Sequence, residues 1–268
     1  MLGTLGNILS DLDQPDEALE TTWRAFRIYE QLVKAGHDAF LPATAESLNN
    51  LAKCLGDLNQ NAEALDKLQQ AVETRQQLAQ TLPDVFLPEL AKSLCNSAIL
   101  LNRLGRAEEG LGKALESAKI LEQLAKAQPD VFLSDLVWAL DIVVGISKDL
   151  GKYEDALDKA LQAVQIYEQL VKARPDAFLL GLAGSWDTHA HVLISMGRQK
   201  EAAGSIARGI QALTPCFQKT PLPFAETMAK LCHNYNIVCA QAKLGLDMLL
   251  LAPVFDVFKK LKENESKK

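Results

Sequence analysis

The sequence predicts an all-α solenoid of antiparallel helix pairs, and three observations lead there. Phe40, Phe86, Phe132, Phe178 and Phe224 recur every 46 residues, and the segment IYEQLVKA at Ile28–Ala35 returns letter for letter at Ile166–Ala173. Each period holds two stretches with the apolar spacing of an amphipathic helix. A turn signal divides those stretches at the same place in every period. Such a period marks a stacked repeat, in which each unit contacts its neighbours and no unit stands alone.

The first helix of a period is read over Pro42–Leu58, where Leu48, Leu51, Ala52 and Leu55 follow the i, i+3, i+4, i+7 pattern. The second is read over Ala62–Thr81, with Ala64, Leu65, Leu68, Ala71, Val72 and Leu78 on one face. Pro42 and Pro88 suit a first helical turn, where a missing N–H costs nothing. Pro83, Pro129 and Pro175 are expected to stop the second helix. Leu12, Leu58, Leu104, Leu150 and Met196 each precede a turn. The next position reads Asp13, Asn59, Gly105, Gly151 and Gly197, the residue types that best tolerate the left-handed conformation ending a helix. No strand pattern appears.

The bulk properties bound the function. A net charge of -6 and a pI of about 5.3 argue against nucleic acid, whose phosphates demand a basic surface. The 5 cysteines are odd in number and form no CxxC pair, which fits a reducing cytoplasm better than a disulfide framework. The opening MLGTLGNILSDLDQ lacks the basic and apolar regions of a secretory signal. The most apolar stretch, Leu244–Phe258, is interrupted by Asp247, Pro253 and Asp256 and is too short to span a bilayer.

Three registers of small residues complete the pattern. They read Gly6, Ala52, Ala98, Val144, Ala190; then Ala18, Ala64, Gly110, Ala156, Ala202; then Ala25, Ala71, Ser117, Ala163, Gly209. Small side chains there let two helices cross closely. With the LGRAEEGL-type turns, these registers resemble the tetratricopeptide (TPR) family over residues 1–242. The period exceeds the usual TPR length of about 34 and is similar to the long-helix repeats of kinesin light chains and bacterial TPR arrays. HEAT repeats share the length but lack the alanine registers and the glycine turn. Val144 departs from the small-residue pattern and weakens the crossing in its unit. The resemblance implies a right-handed superhelix with a groove lined by the first helix of each pair.

Residues 1–242 therefore hold about five helix pairs and the first helix of a sixth. Met1 aligns within a first helix, so the first unit is N-terminally shortened. Either it is a reduced cap or the chain is cut from a longer protein, and Leu2, Leu5 and Leu9 leave its opening face apolar. Residues 243–262 are read as a degenerate capping helix with Pro253 as a break, and 263–268 as a disordered tail.

The groove positions follow from the registers. One reads Thr4, Asn50, Asn96, Ile142, Thr188, Asn234; the one before it reads Gly3, Asn49, Cys95, Asp141, Asp187, His233; three residues on lie Asn7, Lys53, Ile99, Gly145, His191, Ile237. An asparagine amide both donates and accepts, so a ladder of them can hold an extended backbone regardless of its side chains. The resemblance to kinesin light chains carries that role to Asn50, Asn96 and Asn234. Lys53, Lys92 and Arg103 make the N-terminal half basic, and Asp141 and Asp187 make the C-terminal half acidic. The candidate peptide-binding residues are Asn7, Asn49, Asn50, Lys53, Asn96, Arg103, Asp141, Asp187, His191 and Asn234. The lysine/asparagine/arginine clamp of chaperone-binding TPR domains is not matched.

No catalytic motif is present, and no cofactor is implied. His189 falls in a core register. It and His191 are two apart on a helix and do not converge on a metal. Cys216, Cys232, His233 and Cys239 match no zinc spacing, so the cysteines read as buried packing. The expected function is a cytoplasmic, non-enzymatic scaffold that holds a peptide or protein segment in the groove. The alternative is a sensor segment of a larger signalling protein with an effector domain on the N-terminal side. A homodimer through Leu249, Leu250, Leu251, Phe255 and Phe258 is a further expectation.

Overall fold

The structure, a computed structural model, describes residues 15–265. Asn7, the small-register Gly6, the turn residues Leu12 and Asp13, the opening face and residues 266–268 lie outside the described residues. Among those described there are eleven α-helices and no strand. The chain divides into two compact units, Met1–Ile142 and Val143–Lys268, with the boundary inside one helix.

Unit 1 holds α1 (Pro15–Lys34), α2 (Leu41–Asp57), α3 (Asn61–Thr81), α4 (Pro83–Arg103), α5 (Ala107–Ala127) and the first part of α6 (Pro129–Asp149). Each helix from α1 to α5 packs on its neighbours in sequence. The small registers sit where they cross. Ala18, Ala64, Ala71 and Ala98 are fully buried. A Cβ on Gly110 would stand 2.8 Å from the Ala98 carbonyl oxygen, so only glycine lets α5 close on α4 there. Ser117 keeps its hydroxyl in the third register by donating to the Ala91 carbonyl at 2.8 Å. A larger apolar residue at such a crossing costs about 1–3 kcal/mol in displaced packing.

Unit 2 holds the rest of α6, α7 (Tyr153–Ala173), α8 (Pro175–Ser195), α9 (Gln199–Lys219), α10 (Ala225–Gln241) and α11 (Met248–Glu265). Val144 is buried with Ala156, Ala160 and Val192.

The turn between the paired helices uses one conformation throughout. Asn59, Gly105, Gly151 and Gly197 have φ of 60°, 75°, 72° and 73°. The next N–H reaches back to the carbonyl five residues earlier, as in Arg106 to Leu101 at 2.8 Å and Lys152 to Ser147 at 2.8 Å. This is the Schellman ending, and it satisfies carbonyls the helix would otherwise leave open. The register continues to Lys243, with φ of 54° and the same bond from Leu244 to Cys239 at 2.8 Å. The sequence reading missed this sixth turn because a lysine holds the glycine position.

The prolines after the second helices stop them as expected and also begin the next helices. Pro83, Pro129 and Pro175 are the first residues of α4, α6 and α8, and single residues separate these helices from the ones before. Leu82 and Arg174, in that position, have φ of -135° and -143°. Proline forces its predecessor out of the helical region and supplies a helix-ready φ itself. Pro88 therefore lies inside α4 and not in its first turn. Where the period has His37 in place of proline, the DAF frame forms a separate 3-10 turn, Asp38–Phe40, after Gly36 at φ 85°.

At the C-terminus, α11 packs on α9, with Leu251, Val254 and Val257 in one core with Ile210, Leu213 and Phe217. Phe258 meets Phe217 at 4.9 Å between ring centroids. Asp247 caps α11 by accepting from the N–H groups of Leu249 and Leu250 at 2.9 and 3.2 Å. Pro253 does not break this helix. Its missing N–H orphans only the carbonyl of Leu249, a residue 92% exposed, where water can serve. The helix runs on to Glu265.

Candidate functional site

In unit 1 a furrow of about 270 Å³ runs between α2 and α4 and is floored by Leu68 of α3. Asn49, Ala52, Lys53 and Gly56 come from α2, and Asn96, Ile99, Leu100 and Arg103 from α4. Four of the groove residues read from the sequence, Asn49, Lys53, Asn96 and Arg103, thus border one depression. The reason is the helix period: positions 49, 53 and 56 share a face, as do 96, 99 and 103. Lys53 and Arg103 are exposed, and the floor is apolar. Asn49 Oδ1 accepts from Ser93 Oγ at 3.2 Å and Asn96 Nδ2 at 3.3 Å, which ties α2 to α4 at one end of the furrow.

Asn50 is turned away from this furrow. It lines a second cleft of unit 1, and its Nδ2 is buried without an acceptor. Asp141 is exposed on α6, and direct contact with water counters the burial that would push its carboxyl up to about 6.

Unit 2 gathers the other three residues. Asp187 on α8 is 4% exposed. It accepts from Asn234 Nδ2 of α10 at 2.9 Å and lies 3.0 Å from Lys230 Nζ and 3.6 Å from His191 Nε2. Burial alone would raise its pKa. The contacts with His191, Asn234 and Lys230 outweigh this and hold the carboxyl at about 2. Asp187 therefore offers no open acidic surface: its charge is spent within the unit.

The remaining titratable groups serve packing. His189 accepts or donates at Nδ1 with Ser205 Oγ, 3.0 Å away, and stands edge-on to Trp186. Burial and the nearby Arg208 and Arg198 lower its pKa. Cys216, Cys232 and Cys239 belong to the core around Phe217. Burial pushes the thiols of Cys95 and Cys232 up to about 11. Among the described residues no cluster of three or more His, Cys, Asp or Glu could hold a metal ion. No described helix is long and apolar enough to cross a membrane.

The model of the family described as Tetratricopeptide repeat matches residues 1–77. No curated protein matches the chain. The fold is similar to the kinesin-light-chain TPR-like repeats of Podosopora anserina, with a TM-score of 0.65, 18% identity, and 80% of this chain and 94% of that one covered. It is also similar to BtubC (BKLC) of P. vanneervenii, with a TM-score of 0.66 and 16% identity over 95% of this chain and 93% of that one. The helix pairs share the fold of tetratricopeptide-repeat proteins. A third similar structure is the STAND protein with a TPR sensor from Pyrococcus horikoshii, with a TM-score of 0.66 and 14% identity. That match covers 97% of this chain and 35% of that one.

The furrow lies between the first helices of two consecutive periods, α2 and α4. Two residues the sequence reading passed over now stand out. Trp138 of α6, in the register of Glu46 and Lys92, is 39% exposed. Arg75 of α3 is buried in a register otherwise held by Tyr29, Leu121, Tyr167 and Leu213. In each case comparing one register across all periods exposes the odd residue.

Proposed function

We propose that the chain is a protein–protein interaction module that takes an extended polypeptide segment along the α2–α4 furrow of unit 1. The observation that carries this is the furrow itself: an apolar floor of Leu68, Ala52 and Leu100, edged by the two cations Lys53 and Arg103, by Asp57 and by the bridged amides of Asn49 and Asn96. An apolar floor takes a side chain, and the basic edge orients a partner with carboxylates flanking that side chain. The test is selection of peptides from a display library on the full chain, followed by titration of the best one. Lys53→Glu with Arg103→Glu is expected to weaken that peptide about tenfold or more, whereas Asp187→Asn in unit 2 leaves it within about twofold. Equal binding by the charge-reversed protein would remove the site from this furrow.

A second reading is a sensor segment within a larger signalling protein. It is favoured by the near-complete match to part of the Pyrococcus horikoshii STAND protein. Cytoplasmic placement and a homodimer through the C-terminal segment belong to this proposed picture as well. For the dimer, only part of the apolar set is available. Leu249 and Phe255 are 92% and 45% exposed, while Leu251 is buried and Leu250 and Phe258 pack on the unit 2 core.

A further inference from the structure

Two of the 3 tryptophans carry a cation from within the chain. Lys67 and Arg27 stand 5.4 and 5.8 Å from the centre of the Trp23 ring, and Arg208 stands 4.9 Å from that of Trp186. Trp138 has no such cation among the described residues, and it is 39% exposed. Its register otherwise reads Glu46, Lys92, Gly184 and Lys230, none of which puts an aromatic plane in water. Lys92, the cation of that register in unit 1, is held by Glu89 at 3.3 Å.

Asp141 lies one helical turn further on and shares the exposed face of α6 with Trp138. It occupies the register of Asp187, one period earlier. Asp187 is met from within its unit, with Lys230 Nζ at 3.0 Å and His191 Nε2 at 3.6 Å. The registers of those two partners hold glycine one period earlier, Gly184 and Gly145. Asp141 makes no ion pair or hydrogen bond among the described residues. A Cβ added to Gly145 would meet nothing within 4 Å, so the turn after Asp141 leaves open space beside the carboxylate.

We infer that Trp138 and Asp141 together capture the guanidinium of an arginine side chain on a partner polypeptide. Elsewhere in this chain an indole face and a buried carboxylate are each met by an internal cation. On α6 the two groups stand side by side with neither met. A guanidinium serves both, because its plane stacks on the indole while its fork donates two hydrogen bonds to the carboxylate. A lysine ammonium is a more strongly hydrated point charge without a plane to stack. Charge complementarity selects this occupant: an acidic segment would repel Asp141, and an apolar one would cover its charge unpaired. The inference rests on the reading of a polypeptide partner only for the source of the arginine, and it uses none of the furrow residues.

The test is a titration of the full, isotopically labelled chain, followed by the indole N–H signals of its 3 tryptophans in a nitrogen–proton correlation spectrum. Trp138→Leu identifies the Trp138 signal by deleting it. The probes are acetyl-glycyl-arginyl-glycinamide and the same peptide with lysine or with neutral citrulline in place of arginine. The arginine peptide is expected to shift the Trp138 signal saturably and to leave those of Trp23 and Trp186 in place. The lysine peptide is expected to bind at least about threefold more weakly, and the citrulline peptide not to saturate. Asp141→Asn is expected to weaken the arginine peptide about fivefold, the scale of an exposed ion pair. If that variant does not melt as wild type by circular dichroism, the comparison of arginine with citrulline on the wild-type chain decides. The inference is overturned if the arginine peptide does not saturate, if citrulline or lysine binds as well as arginine, or if folded Asp141→Asn binds as wild type. Its failure is distinct from failure of the furrow, which is read with a different peptide and through Lys53 and Arg103.

Discussion

The two units make the same cross-helix contact with different chemistry. In unit 1, Asn96 of α4 donates to Asn49 of α2; in unit 2, Asn234 of α10 donates to Asp187 of α8. Both pairs are 47 residues apart and occupy the same two registers. The unit 1 acceptor is a half-buried neutral amide shared with Ser93. The unit 2 acceptor is a buried carboxylate with Lys230 and His191 gathered around it. A neutral bridge needs no counter-charge, and Lys53 and Arg103 are exposed beside it without contacting it. A buried carboxylate needs one, so Lys230 is recruited. The lesson is that register places a polar group between two helices, while its charge decides whether the surrounding side chains remain available to a partner.

Breaking the charged bridge is expected to have the largest effect. Asp187→Ala should lower the unfolding free energy by about 2 kcal/mol, the scale of hydrogen bonds to a charged group. Lys230, 66% exposed, can turn to water and limits the loss. A denaturant midpoint unchanged from wild type would contradict the account. The same carboxyl carries a pH signature. It is held at about 2, against about 3.9 in an unfolded chain, so its contribution is complete above about pH 4 and is lost as pH falls towards 2. Asp187→Asn should flatten the acid limb of stability over that window and no other.

The neutral bridge is the weaker of the two. Asn49→Ala should cost about 1 kcal/mol, since Ser93 and Asn96 both lose an acceptor, but half-buried Asn96 can turn to water and fully buried Ser93 keeps its contact with Arg75. That loss should be the same at pH 4 and pH 8. A pH-dependent loss, or one as large as for Asp187→Ala, would erase the distinction between the bridges.

The smallest effects concern the turn register, where each unit carries one non-glycine among the described residues. Asn59 in unit 1 tolerates φ of 60° through its short polar side chain, whereas Lys243 in unit 2 adopts φ of 54° without that help. Lys243→Gly should stabilise by about 0.5–1 kcal/mol, and Asn59→Gly should stay within about 0.5 kcal/mol. Thermal melts of the two variants check the difference, and equal shifts would sink it.

Much of the fold was legible because its demands repeat. The glycine register and the alanine registers each answer one steric requirement, five times over, and the structure places them at turns and crossings. The site was legible only in outline. Asn49, Lys53, Asn96 and Arg103 share a face by helical period and meet in one furrow. Asn50 occupies the same register as Asn96 and lines a different cleft. Asp187 was read as open acidity and is buried, because nothing in register 187 announces that Lys230 and Asn234 will close on it from another helix.

The sequence by itself therefore determined the helix pairs, their period and the turn conformation, since these follow from local sterics and from apolar spacing along one chain. The tertiary structure decided which polar residues are spent internally and which stay available. That outcome depends on distances between side chains of different helices, such as Glu89 standing between Arg75 and Lys92, and on how much water reaches each charge. Neither quantity is a property of one position in the chain, so no register could declare it.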